Sequence, residues 1–119
     1  MNDLVAEYRR MPWATDHLPD AGINGRKCEI IRELDAELDA PEVARLVLDV
    51  LTDRREFDLA RVEAIQVVGI YLRASNPLVE ELSHAVRRIV GDTEEDEMIR
   101  GWADRYVARM EQFVSRSGD

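Results

Sequence analysis

The chain has 119 residues, 45% of them hydrophobic and 34% charged, which suits one domain with a real core and is too apolar for a disordered chain. Its net charge of −9 sets it against a phosphate backbone, so no nucleic-acid partner is expected and a protein with a basic surface is favoured. A single cysteine, Cys28, cannot form an internal disulfide and fits a reducing compartment; the start Met1-Asn2-Asp3-Leu4 lacks a leader pattern, and no apolar run is long enough to span a bilayer, so a cytoplasmic location without a membrane partner is expected.

Leu4, Tyr8 and Met11 predict a short first helix. The stretch from Met11 to Asn24 follows, irregular, with two prolines. It carries Trp13, His17 and Leu18 and is expected to pack on the helices. Trp13 reads either as core or as an interface anchor, since Trp is enriched in binding hot spots. Asn24 is placed as the N-cap of a helix bearing Ile30, Ile31, Leu34 and Leu38. Cys28 lies on that helix and reads as a packing residue.

After the turn at Asp39–Pro41, with Pro41 in a first turn, Val43, Leu46, Val47, Val50 and Leu51 form one buried stripe. From Leu59 to Leu72 the apolar residues surround the helix, so this one is central. Ser75–Pro77 ends it, and Val79, Leu82, Val86, Ile89 and Val90 mark the next. The run Gly91 to Tyr106, GDTEEDEMIRGWADRY, then opens a last helix with the stripe Ile99, Trp102, Tyr106, Met110 and Phe113. Asp92 or Thr93 is expected as its N-cap, with Glu95 or Asp96 as the capping-box residue. Glu94, Glu95, Asp96 and Glu97 exceed what a helix start needs, and the surplus is expected to form an exposed acidic binding edge whose loss hardly affects stability. No stretch alternates with period two, so no strand is expected.

The chain repeats itself. Arg61 to Tyr71 matches Arg100 to Met110 at an offset of thirty-nine, pairing Arg61 with Arg100, Ala64 with Ala103, Val68 with Val107 and Gly69 with Ala108; Asp58 pairs with Glu97 just ahead. The preceding helices match at a slightly shorter offset, Pro41 with Pro77 and Leu46 with Leu82, which a longer loop in the second unit would absorb. An acid, an Arg, a small residue three on, then an aliphatic and a small residue resemble the second helix of HEAT-type repeats, over Pro41 to Val114. The resemblance implies an all-α fold: a short α-solenoid of antiparallel helix pairs, about six helices, in one domain over residues 1–119. Residues 1–40 would be an atypical capping region and residues 41–75 and 76–116 the two helix-pair repeats, with charge-assisted bonds between successive units.

Chemistry is sparse. Glu81 and His84 have E-x-x-H spacing, but a di-iron site needs a second such pair and two more carboxylates. Asp92, Glu94 and Asp96 alternate like a calcium loop without its sixth-position Gly or twelfth-position Glu. No phosphate loop or nucleophile motif is present. The expectation is a non-catalytic protein-binding module without metal or cofactor. In size, charge and repeat type the chain also resembles the immunity proteins of bacterial toxin systems, which implies neutralisation of a toxin domain by covering a basic surface. A HEAT-like adaptor or assembly factor, and a helical-repeat enzyme, are the other readings. Partner-binding residues are expected at Glu94, Glu95, Asp96, Glu97 and Trp13.

Overall fold

The structure is a computed structural model that describes residues 3–12, 21–37, 40–70 and 78–117, backbone only at 21, 69–70, 78–79 and 110–117. The fold is all-α. Six helices follow one another among the described residues: α1 Asp3–Arg10, α2 Ala21–Glu33, α3 Pro41–Thr52, α4 Asp58–Ile70, α5 Leu78–Gly91 and α6 Glu97–Ser117, with a 3-10 turn, Leu34–Glu37, after α2.

The helix contacts sort these elements into two layers. In one layer α3 lies beside α5 and α1 beside α3; in the other α4 lies between α2 and α6. Each helix of the first layer also meets its sequence neighbour in the second, α1 with α2, α3 with α4 and α5 with α6. The molecule measures 47 × 35 × 17 Å. A 17 Å thickness holds two helices, whose axes pack about 8–10 Å apart, and not three.

Local sequence explains each placement. On α3 the stripe Val43, Leu46, Val47, Val50 and Leu51 is at most 1% exposed, and Pro41 occupies the first turn, where its missing N–H costs nothing. On α5 Leu82, Val86 and Ile89 are buried; on α1 the buried residues are Val5 and Tyr8. Helix α4 is buried on most sides, at Ala60, Arg61, Val62, Ala64, Ile65, Val67 and Val68, because α2, α3, α5 and α6 all touch it. Ala64 and Ala103 are both fully buried, so no side chain holds the helix surfaces apart there.

Four expectations are corrected. Helix α2 begins at Ala21, so Asn24 is not its N-cap but a buried residue of the first turn. Packing overrides poor local propensity there, since Gly22 and Gly25 also lie within the helix. Asp96, not Asp92 or Thr93, caps α6: its Oδ1 accepts the N–H groups of Met98 at 2.8 Å and Ile99 at 3.4 Å. The unequal repeat offsets come from α5, at 14 residues against 12 for α3, while the loops that follow, residues 53–57 and 92–96, have equal length. Finally, Leu59 is 49% exposed, so α4 has one open edge. Trp13, His17, Leu18, Leu38, Asp39, Tyr71, Leu72 and the turn at Ser75–Pro77 lie outside the described residues.

Candidate partner-binding site

The two inter-helix loops are built alike. In the first, Asp53 Oδ1 accepts the N–H of Arg55 at 2.9 Å, and the N–H of Glu56 bonds the Asp53 carbonyl at 3.1 Å. In the second, Asp92 Oδ1 accepts the N–H of Glu94 at 3.0 Å, and the N–H of Glu95 bonds the Asp92 carbonyl at 3.1 Å. Each Asp thus folds its own loop through a short side-chain-to-backbone turn, and each loop delivers a Glu to the interior.

Those two glutamates tie neighbouring helix pairs together. Glu56 takes the Lys27 ammonium of α2 at 2.6 Å, with both side chains fully buried, and the Tyr8 hydroxyl of α1 donates to its other oxygen at 2.9 Å. Burial and the adjacent Glu56 carboxylate push the Tyr8 hydroxyl well above its usual pKa. Glu95 takes the Arg61 guanidinium of α4 in a two-pronged pair at 2.5 and 2.7 Å. Arg61 Nη2 also donates to the Leu51 carbonyl at 2.9 Å, near the end of α3. In both cases a cation on a second-layer helix reaches the loop of the following helix pair.

Glu95 therefore does not belong to an exposed acidic edge. Its side chain is 5% exposed and committed to Arg61, because an almost fully buried guanidinium needs a carboxylate. The other three expected acids stay at the surface. Glu94 is exposed and pairs with Arg54 at 2.9 Å, Asp96 caps α6, and Glu97 is exposed in its first turn. Trp13, the fifth expected partner-binding residue, is outside the described residues.

The open feature is a groove across the second layer. It has a volume of about 840 Å³, with Cys28 from α2, Phe57, Leu59 and Val62 from the loop and start of α4, and Trp102 from α6 along its apolar lining. Glu29, Arg32 and Glu63 form its polar lining, and Arg32 spans it by pairing with Glu63 at 2.8 Å. Leu59 and Met98 are the exposed large hydrophobics among the described residues, 49% and 41% accessible, and they stand thirty-nine residues apart on α4 and α6. Trp102, on the apolar stripe of α6, is only half-buried; Arg105 covers its ring at 4.8 Å, and the Tyr106 ring lies 6.2 Å away.

Cys28 is half-buried, and burial pushes its thiol up to about 11, so it is a protonated lining group at neutral pH rather than a nucleophile. Glu81 and His84 are exposed on α5, in a depression shared with Arg45 and Arg88. Among the described residues no three metal-ligating side chains come together, and no helix is long and apolar enough to cross a membrane.

No protein-family model matches the chain, and no curated protein or solved structure shows significant similarity to it.

Sequence reasoning found Arg61 and the idea of a bond between units but paired it with the wrong acid. The signal was present: Asp53 and Glu56 recur as Asp92 and Glu95 at the same offset of thirty-nine, just upstream of the repeat as first drawn. Lys27 had no such signal, because it precedes Arg61 by thirty-four residues.

Proposed function

We propose that the chain is a non-catalytic protein-binding module whose partner seats on the groove of α2, α4 and α6. The observation that carries this reading is the pair Leu59 and Met98, exposed on adjacent helices, Leu59 lining the groove with the half-buried Trp102 and Met98 one turn before Trp102 on α6. Exposed apolar groups beside a concave, partly aromatic surface mark a protein contact more often than they occur by chance. The helix pairs, joined by a cation-to-Glu bond at each step, suit a HEAT-like stack, and in that reading the groove lies along one face of the stack. The partner side is basic: the chain carries −9 overall, and Glu29, Glu33, Glu94 and Glu97 are exposed.

The sharper form of the proposal is a cytoplasmic immunity protein that neutralises a toxin domain by covering its basic surface. Small size, acidity and paired helices support it. The exposed acids would speed encounter with such a partner and the apolar groove would hold it. An adaptor or assembly factor would use the same face, and the identity of the bound protein separates the two.

The test places a photo-crosslinking residue at Leu59 or Met98 in the source cell. One discrete adduct from either position, and none from Arg45, which is exposed on α3 in the opposite layer, supports the reading. The absence of a discrete adduct at both Leu59 and Met98, or equal capture at Arg45, contradicts it.

A further inference from the structure

The face of α2, α4 and α6 has two tiers. Lys27 on α2 and Arg61 on α4 hold equivalent places, since each reaches the loop of the following helix pair. Arg100 matches Arg61 at the offset of thirty-nine. Two residues before these three cations stand Gly25, Leu59 and Met98, and two residues after them stand Glu29, Glu63 and Trp102. The first tier is apolar and roomy: Leu59 and Met98 are exposed, and a side chain at Gly25 would meet nothing within 4 Å. The second tier, one helical turn further along, sets the carboxylates of Glu29 and Glu63 on neighbouring helices in the groove lining.

The acidic tier is partly shut. Arg32, 64% exposed, crosses to Glu63, whose side chain is 17% exposed. Arg26 offers no substitute, because it gives two nitrogens to Glu7 at 2.6 and 2.9 Å and the third to Glu29 at 3.1 Å. An occupant lying along α4 from Leu59 to Glu63 therefore has to lift Arg32 away. Arg32 loses little, since its guanidinium is rehydrated and a pair with one member in water contributes little. Glu63 loses more, because it is left covered without a counter-charge. The occupant has to bring one.

We propose that the groove takes an amphipathic helix of the partner protein, with a large apolar side chain seated between Gly25 and Leu59 and a Lys or Arg one turn along that replaces Arg32 on Glu63. This rests on the reading of the groove as a protein-binding face. Leu59 and Glu63 are four residues apart on one side of α4, so a helix laid along it meets both with residues at i and i+4. An extended segment brings backbone N–H and C=O groups that need partners. The groove is walled by helices, whose own backbone groups are spent internally, so a helix, which satisfies its backbone by itself, is the form that fits. Two acids against one arginine in the lining favour a cationic helix over an acidic one.

The probe is a dye-labelled synthetic helix of Ala, Leu and Lys, with Leu at i and Lys at i+4, titrated with the full chain by fluorescence anisotropy. A counterpart carries Glu in place of Lys. The lysine helix is expected to bind and the glutamate helix is not. Glu63→Gln should weaken the lysine helix about tenfold. Arg32→Gln should tighten it about threefold by removing the competitor for Glu63. Glu81→Gln and Arg45→Gln make the same changes of charge on the opposite layer and should each act far less. Leu59→Asp adds a negative charge yet should abolish binding, because it removes the apolar seat; Leu59 and Arg32 are exposed, so these variants keep the fold. If Leu59→Asp abolishes binding while Glu63→Gln and Arg32→Gln act no more than their controls, the groove stands as the binding face and the cation exchange is overturned. A lysine helix that binds no better than the glutamate helix overturns it likewise. Binding that survives Leu59→Asp overturns the seat in the groove, and with it the reading on which the inference rests.

Discussion

Glu95→Ala removes both oxygens that hold Arg61 and leaves that guanidinium, 2% exposed, with the Leu51 carbonyl as its remaining partner in the site. Water cannot reach the cation without opening the contact between α4 and the loop before α6. The loss therefore combines two charge-assisted hydrogen bonds with an uncompensated buried charge, and breaking such a pair costs about 3–5 kcal/mol. That is a large share of the roughly 5–15 kcal/mol that holds a domain of this size together. Glu94 is one residue away, exposed, and paired with the exposed Arg54. Glu94→Gln should leave the unfolding midpoint where it was, since surface pairs contribute little. Urea titration followed by helical circular dichroism gives both numbers. Equal small effects, with Glu95→Ala below about 1 kcal/mol, would show that Arg61 is hydrated and that Glu95 faces solvent, as a run of acids in the sequence suggests.

Lys27→Met alone should cost about 3–5 kcal/mol by stranding the buried Glu56, whereas Lys27→Met with Glu56→Leu and Tyr8→Phe should recover much of that in the same titration, because an apolar replacement leaves no buried charge. Ala103→Leu should destabilise by about 1–3 kcal/mol through overpacking at a fully buried position, while Trp102→Ala should cost roughly 2–3 kcal/mol, below the value for a fully buried aromatic, by calorimetry. Cys28 titrates near 11 because of its burial, so alkylation at pH 7.5 should be slow and should accelerate as pH rises toward that value; the raised folded pKa means that its contribution to stability is intact below the ordinary thiol pKa of about 8.5 and fades as pH rises through about 11. Arg26 holds the Glu7 carboxyl below its usual range by a direct hydrogen bond; that contribution is present above the ordinary carboxylate pKa and lost as pH falls through the lower folded value, so Glu7→Gln should flatten the acid limb of a stability profile.

The helices were legible because each buries a stripe at helical spacing, and α4 was legible as the central helix because its apolar residues encircle it. What could not be read were effects that depend on the partner element. Glu95 looks solvated among Asp92, Glu94, Asp96 and Glu97, and only the position of Arg61 on a different helix pair turns it inward. Lys27 looks like an ordinary surface cation beside Arg26, yet it is wholly buried, since α1 and the loop before α4 close over it. The groove draws on three helices and a loop, and no single stretch of sequence contains it. Trp102 sits on a buried stripe by period but at its edge in space, where the stripe meets the open side of α4.

The central claim is that the face of α2, α4 and α6 receives a protein partner, and hydrogen exchange on the chain alone and in its captured complex tests it most directly. The account predicts added protection in α2 and in the first turns of α4 and α6, around Cys28, Leu59 and Met98, with α3 and α5 unchanged. Protection confined to α3 and α5, with the groove helices exchanging as they do in the free chain, would contradict it.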